Sequence, residues 1–411
     1  MITKRIVLLG HKDHGKSTLI GNLLIATGSA SKERIEEAIG ASAVAGRFEP
    51  AMLLDSFEEE RNGGLTIDST RAQVEHEGAI LEFIDVPGHE ELVRNMINSA
   101  SYADVALLVV SARRGERITA QTKRHAFIAA MLGIRRFIVA INKMDTVGYA
   151  KSSFDGIRKE LDAFLERVSG QQDVEFIPIS AYKSKNLKGR AREMAWYKGP
   201  TLLDALAEPS ASRACDAMDE LRIMVQGSMQ QGRRTLLLGR VASGSVHVND
   251  SVKLLPSGNY SIVASLFAGS RRRKSTAVHG NVAIGLKDDA AAAYEDDDNV
   301  VIYKKGTEVD PVSMFRARLF FSAELSRINE ADVAINGARV HAKIRITGVI
   351  DASTGSAMHR TDRLYLNAAD AEIALDRPMC VEPFGRFQEL GRFLVYTKGE
   401  FAGFGIVSST S

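Results

Sequence analysis

Cysteine is scarce in this chain: only Cys215 and Cys380 occur, far apart and outside any CxxC pattern. That argues against a disulfide framework or a cysteine-based zinc site and points to a reducing compartment. Long apolar runs are missing too. No stretch approaches the roughly 18 apolar residues that a membrane span needs. The opening MITKRIVLLGHKD has a short apolar run that reads as a buried strand rather than the core of a secretion signal. Net charge is small: 53 Lys+Arg against 51 Asp+Glu leave +2, so no global attraction to nucleic acid or membrane is implied. There is no internal repeat and no long low-complexity segment. What remains is ordinary globular composition, 45% hydrophobic and 25% charged, over 411 residues. That is enough for about three domains. The expectation is a cytoplasmic protein with no membrane and no DNA partner.

The first half alternates short Val/Ile/Leu-rich runs, at 6–9, 81–85, 105–110, 137–141 and 176–179, with amphipathic stretches at 16–26, 90–101, 120–132 and 153–168. Runs that are apolar on both faces suit a mostly parallel sheet covered by helices, hence an α/β domain. The texture changes in EPSASRACDAMDE (208–220), read as a linker. Beyond it, short alternating runs are broken by turn signals such as ASGS (242–245), HVND (247–250) and PSGN (256–259), and helical periodicity fades. That texture predicts β-barrels, divided near Pro311, which would interrupt a strand. The expected domains are 1–208, 217–310 and 311–411. The whole reads as an α/β domain, with helices on both faces of its mostly parallel sheet, followed by two β-barrel domains.

Five stretches of the first domain read, in order, as one nucleotide site. GHKDHGKS (10–17) follows an apolar strand and opens a helix. Gly10 and Gly15 let the backbone curl so that its N–H groups, with those of Asp13, His14 and Thr18, face phosphates at a helix N-terminus. Lys16 would reach the β- and γ-phosphates, and the Ser17 hydroxyl would bind Mg²⁺. DVPGHE (85–90) ends a strand: Asp85 would hold Mg²⁺ through water and the Gly88 amide would sense the γ-phosphate. His89, next in line, is the candidate catalytic residue that orients or polarises the attacking water. In LTID (65–68), Thr66 would join the metal and order its segment only in the triphosphate state. NKMD (142–145) ends another strand. The Asp145 carboxylate can accept two hydrogen bonds from guanine N1–H and the 2-amino group, a donor pair adenine lacks, so GTP is selected over ATP. Asn142 would tie this loop to the phosphate loop, the Lys143 stem would cover the base, and Ser180 and Ala181 of ISA (179–181) would complete the pocket.

GHKDHGKS, RNGGLTID and DVPGHEELVRNM together resemble the translation-factor class of GTPases, the superfamily of elongation factor Tu and elongation factor 1-alpha. GRFLVYTKGEFAGFGIV (391–407) looks like the last strands of that class. The resemblance implies a GTPase domain followed by two β-barrels. A narrower similarity, carried by FEPAMLLDSFEEERNGGLTID (48–68), TKRHAFIAAMLGIRRFIVAINKMD (122–145), MAWYKGPTLLDAL (194–206) and GRVASGSVHVNDSVKLLPSG (239–258), is to the GTPase subunit of sulfate adenylyltransferase. It implies that GTP hydrolysis drives the formation of adenylyl sulfate from ATP and sulfate in a separate catalytic subunit. That is the leading expectation. Delivery of aminoacyl-tRNA, with tRNA and ribosome as partners, is the alternative, as is service to another sulfur-transfer or biosynthetic pathway. Delivery requires an electropositive track on the β-domains. Three features depart from the family pattern: Lys12 inside the phosphate loop, Ser111 in SARRG where aspartate is usual, and the charge runs SRRRK (270–274) and EDDD (295–298).

Overall fold

A computed structural model describes residues 2–33, 35–36, 50, 53, 71–85, 103–116, 118–169, 173–208, 220–232, 234–269, 271–277, 280–287, 294, 299–321, 329–358 and 368–410. The chain divides into two compact units, Met1–Ser212 with Asp351–Ser356, and Arg213–Ile350 with Ala357–Ser411.

In the first unit the strands are β1 (Ile2–Leu9), β2 (Arg71–His76), β3 (Ala79–Asp85), β4 (Val105–Ser111), β5 (Arg136–Asn142) and β6 (Asp173–Pro178). The helices are α1 (Lys16–Thr27), α2 (Ala120–Met131), α3 (Lys151–Ser169) and α4 (Leu202–Ala207). The strands form one sheet in the order β2-β3-β1-β4-β5-β6, parallel except for β2, which pairs antiparallel with β3. Every residue of β4 and β5 is buried. Continuous apolar runs are what a strand covered on both faces requires. One face carries Ile6, Leu8, Leu107, Val109, Ile138 and Ile177, packed with Leu19, Ile20 and Leu23 of α1 and Leu202, Leu203 and Leu206 of α4. The strand order places the carboxyl ends of β1, β3, β4, β5 and β6 along one edge, where ligands of open α/β sheets bind.

Four of the five expected strands, at 6–9, 81–85, 137–141 and 176–179, begin too late, whereas the run at 105–110 starts where β4 starts. Lys4, Arg5, Arg136, Asp173 and Glu175 lie inside strands although their charge breaks the apolar run. Arg136 is held there by Asp173 at 2.5 Å, Glu175 at 2.8 Å and Glu208 at 3.0 Å. The β2–β3 hairpin turns on Glu77 (φ 47°) and Gly78 (φ 80°), the two positive-φ positions that a tight hairpin demands. The expected helix at 90–101 and most of the 208–220 linker lie outside the described residues.

The second unit is all β. Its strands are β7 (Arg222–Gln231), β8 (Arg234–Ser243), β9 (Ser245–His247), β10 (Ser251–Leu255), β11 (Asn259–Ala268), β12 (Arg271–Arg273), β13 (Ser275–Ala277), β14 (Asn281–Leu286) and β15 (Val301–Lys304), then β16 (Val312–Phe321), β17 (Glu330–Ile335), β18 (Ala338–Asp351), β19 (Ser356–Met358), β20 (Ala368–Met379), β21 (Arg392–Thr397) and β22 (Glu400–Ser409). The order β10-β15-β7-β8-β14-β11 closes through β10–β11, and β17-β21-β22-β16-β20-β18 closes through β17–β18. These are two closed barrels, with β12 and β19 appended. Closure removes the sheet edges that would otherwise pair with another chain. Inward residues alternate along the strands, as in β18, where Ala338, Val340, Ala342 and Ile344 are buried and the residues between them exposed. Among the described residues no helix is long and apolar enough to cross a membrane.

Candidate guanine-nucleotide site

The loop after β1 carries its strain at glycines. Gly10 has φ +133° and a Cβ there would lie 2.3 Å from Val109 O. Gly15 has φ +86°, and its Cβ would lie 2.7 Å from Asn142 Nδ2. No other residue tolerates both the conformation and the approach. Gly15 is the N-cap of α1 and offers no side chain to its free N–H groups, which leaves them available to an anion. Lys16 is buried, and its ammonium donates to Gly10 O at 3.1 Å and His11 O at 3.4 Å. Burial lowers its pKa, opposed by the charges of Asp85 and Asp13. A buried cation at a helix N-terminus inside a glycine cradle fits a polyphosphate. Lys12, by contrast, is exposed.

The base-side loops are tied to this one. Asn142, buried at the end of β5, donates to His14 O at 2.9 Å and accepts from Ala181 N at 2.8 Å. It therefore joins the phosphate loop, NKMD and ISA. Lys143 takes φ +61°, a conformation L-residues rarely adopt. That kink sends Asn142 inward and lets Asp145 stand in the 3-10 turn Met144–Val147. Ser180 is fully buried and its hydroxyl donates to Asp145 Oδ1 at 2.5 Å. One carboxylate edge is thereby fixed. Asn22 of α1 donates to Ala181 O at 2.8 Å and holds the ISA loop from below. So Gly10, Asp13, His14, Gly15, Lys16, Ser17, Thr18, Asp85, Asn142, Lys143, Asp145, Ser180 and Ala181 stand on four neighbouring loops of the sheet's carboxyl edge. Thr66, Gly88 and His89 lie outside the described residues.

Three residues went unnoticed in the sequence. Glu116, after β4, accepts from Lys143 Nζ at 2.9 Å. Val109 O lies 3.2 Å from His14 Nδ1. His125 of α2 is buried, with Nδ1 lacking a hydrogen-bond partner among the described residues. In the sequence His125 closes the polar run QTKR (121–124), so nothing there signals that it is buried. Burial pushes both imidazoles down to about 4, with Lys16, Arg124 and His11 adding to the effect at His125 and the Val109 carbonyl opposing it at His14.

Those two histidines predict an acid weakness. Their folded values lie below the roughly 6.5 of an unfolded imidazole, so below pH 6.5 the unfolded chain takes up protons first. Stability is retained above pH 6.5 and falls towards pH 4, by about 1.4 kcal/mol per pH unit per histidine. Urea midpoints measured at pH 7, 6 and 5 check this. Replacing His125 by Gln should flatten the slope, and an unchanged slope would contradict its buried neutral state.

A glycine-cradled loop opening a helix, tied through Asn142 to the NKMD and ISA loops, has the build of a P-loop GTPase domain. Comparison with known proteins places it further. Residues 2–212 match the elongation factor Tu GTP binding domain, and residues 315–408 match the GTP-eEF1A C-terminal domain-like family. Elongation factor 1-alpha of Aeropyrum pernix is 34% identical over 98% of this chain and 95% of its own length. That of Pyrococcus furiosus is 31% identical, over 98% and 97%. The crystal structure of sup35 complexed with GMPPNP is 25% identical, covering 100% of this chain and 94% of its own, with a TM-score of 0.43. The chain belongs to the elongation factor Tu/elongation factor 1-alpha family of GTPases.

This corrects the leading functional expectation. Relatives that match along almost the whole chain carry the name elongation factor 1-alpha, which favours the elongation-factor alternative over sulfate activation with an adenylyl-transferring subunit. Much of the resemblance behind that expectation lay in 48–68, 122–145 and 194–206, in the nucleotide-binding half. Such segments report how GTP is held, not what the switch drives.

Proposed function

We propose that the chain is an elongation-factor-like GTPase that carries aminoacyl-tRNA in its GTP state, with the ribosome as its site of action. The observation that carries this reading is full-length similarity to elongation factor 1-alpha, barrels included. The proposal keeps the division into 1–208, 217–310 and 311–411.

At the nucleotide, the loop amides from Gly10 to Thr18, Asp13 and His14 included, wrap the phosphates. Lys16 neutralises the β- and γ-oxygens. Ser17, Thr66 and, through water, Asp85 would hold Mg²⁺, which when bound would neutralise phosphate charge. Gly88 reads the γ-phosphate through its amide. Asp145 reads guanine, between Lys143 on one side and Ser180 and Ala181 on the other. His89 orients the attacking water. His89→Ala should slow hydrolysis by about 10²–10⁴-fold and leave GTP affinity nearly unchanged. Single-turnover phosphate release with ribosomes present measures it, and an unaltered rate would remove His89 from that role.

One surface feature supports an RNA partner. Arg271, Arg272 and Arg273 of β12, with Lys274 beside them, are all exposed, and none pairs with a carboxylate among the described residues. A strand points successive side chains to opposite faces. Three exposed arginines therefore mean that β12 presents guanidinium to solvent on both sides, a geometry suited to phosphates. The basic run at 271–274 is thus locally exposed although the chain as a whole is nearly neutral.

The test is binding of aminoacyl-tRNA by the full chain loaded with GDP or a non-hydrolysable GTP analogue. The GTP form should bind about 5- to 150-fold more tightly; equal affinities would reject the switch. Replacing the three arginines by alanine should weaken binding and lower the log–log salt slope by about 2 to 3. An unchanged slope would place the RNA elsewhere.

A further inference from the structure

The lysine of the NKMD loop is held by a residue outside every nucleotide motif. Lys143 Nζ donates to Glu116 Oε2 at 2.9 Å, and both side chains are about a quarter exposed, 24% and 26%. The other carboxylate oxygen lies 3.4 Å from Arg113 Nη1. Glu116 is fixed from its own side as well: its N–H donates to Arg113 O at 3.1 Å, and Arg113 N donates to the Ser111 hydroxyl at 3.2 Å. Burial works against the charged form of the Glu116 carboxyl, but Ser111, Lys143 and Arg113 together favour it and outweigh burial. Ser111 is the last residue of β4 and pairs with Asn142 across the parallel ladder, while Ala112 N donates to Asn142 O at 2.7 Å. The loop 111–116 therefore grows from the strand beside NKMD and returns a carboxylate to its lysine. Ser111 is part of this arrangement: it ends β4 with a neutral hydroxyl, whereas a second carboxylate there would repel Glu116.

We propose that Glu116 is a positioning residue for guanine-nucleotide retention: by anchoring the Lys143 ammonium it holds the lysine's methylene stem over the purine. A free lysine side chain loses rotamer freedom when ordered. Here the ordering is done before the nucleotide arrives. The positive φ of Lys143 and the ion pair act on the same residue, one fixing its backbone and the other its tip. Recognition of the base edge stays with Asp145, so the latch sets residence time rather than base identity. This rests on the guanine-nucleotide reading of the site.

The experiment is release of a fluorescent GDP from the full-length chain, for wild type, Glu116→Gln, Lys143→Ala and the double variant. Glu116→Gln should speed release by about 3- to 10-fold. In the Lys143→Ala background it should add nothing, because the carboxylate acts through that ammonium. The difference between wild type and Glu116→Gln should shrink towards 1 M salt, where the screening length is about 3 Å. Preference for guanine over xanthine and adenine nucleotides should stay as in wild type. Unchanged release in Glu116→Gln, a full further acceleration in the double variant, or altered base preference would each overturn the proposal. Failure of the wild type to bind GDP would bring down the nucleotide reading itself, and is distinguishable because it precedes any variant.

Discussion

Replacing Asp145 by Asn is expected to weaken GTP binding by about 10²–10⁴-fold and to make xanthine nucleotides the preferred ligands. The carboxylate presents two acceptors, which match the N1–H and 2-amino donors of guanine. Asparagine offers one acceptor and one donor, so one guanine N–H faces an N–H and is left unsatisfied inside the pocket. Xanthine has an oxygen where guanine has the amino group, and the new N–H meets it. The structure makes the substitution sharp. Ser180 donates to Oδ1 of Asp145, Ser180 itself is fully buried, and Ala181 and Asn142 lock the adjoining loop. The side chain has little freedom to turn away from the mismatch. Competition of GTP and XTP for a fluorescent analogue, in variant and wild type, gives the ratio directly. Retained GTP preference would show that the base is read by other groups.

The contrast between Asp145 and Glu116 shows what could be read from the sequence and what could not. Motif residues are legible because they sit at strand ends that alternate with helices, and strand order then brings those ends to one edge. Gly10 and Gly15 were legible for a second reason, since the phosphate loop needs conformations that other residues avoid. Glu116 was not legible. Its role depends on β4 pairing with β5, which sets two segments distant in sequence side by side. The same holds for Asn22, which reaches Ala181 from α1. The barrels were anticipated from alternation and turn signals, but their closure through β10–β11 and β17–β18 is a matter of register that short strands do not specify. The cellular role was misread for a related reason. Sequence features around a nucleotide are dictated by the nucleotide, whereas the output depends on surfaces elsewhere in the chain.

A second large effect is expected far from the nucleotide, at a buried ion pair of the all-β unit. Arg222 and Glu382 are 0% and 1% exposed. Their contact is bidentate, Nε to Oε1 at 2.7 Å and Nη2 to Oε2 at 2.9 Å. Tyr303, opposite Arg222 in the β15–β7 ladder, donates its hydroxyl to Glu382 Oε1 at 3.1 Å. Glu220 accepts from Arg222 Nη2 at 2.7 Å, and the guanidinium lies 5.0 Å from the Phe387 ring centroid. Burial works against the charge on Arg222, but the hydrogen bonds and charge of Glu382 outweigh it and its pKa is raised. Burial also raises the Tyr303 phenol, which therefore stays protonated and keeps donating. Removing Glu382 leaves the buried guanidinium with only the partly exposed Glu220 carboxylate and takes the acceptor from the Tyr303 hydroxyl. Glu382→Ala should therefore lower unfolding stability by about 3–5 kcal/mol. Replacing both charges with apolar residues of similar size, Arg222→Met with Glu382→Leu, removes the orphan and should be far milder, close to neutral or even stabilising within about 1–4 kcal/mol. Urea unfolding of both variants separates the cases. If Glu382→Ala unfolds at the wild-type midpoint, the pair carries no net burden of desolvation. If the double variant is as unstable as the single one, the arginine's hydrogen bonds to Glu220 and Ser243, rather than its pairing with Glu382, hold this region together.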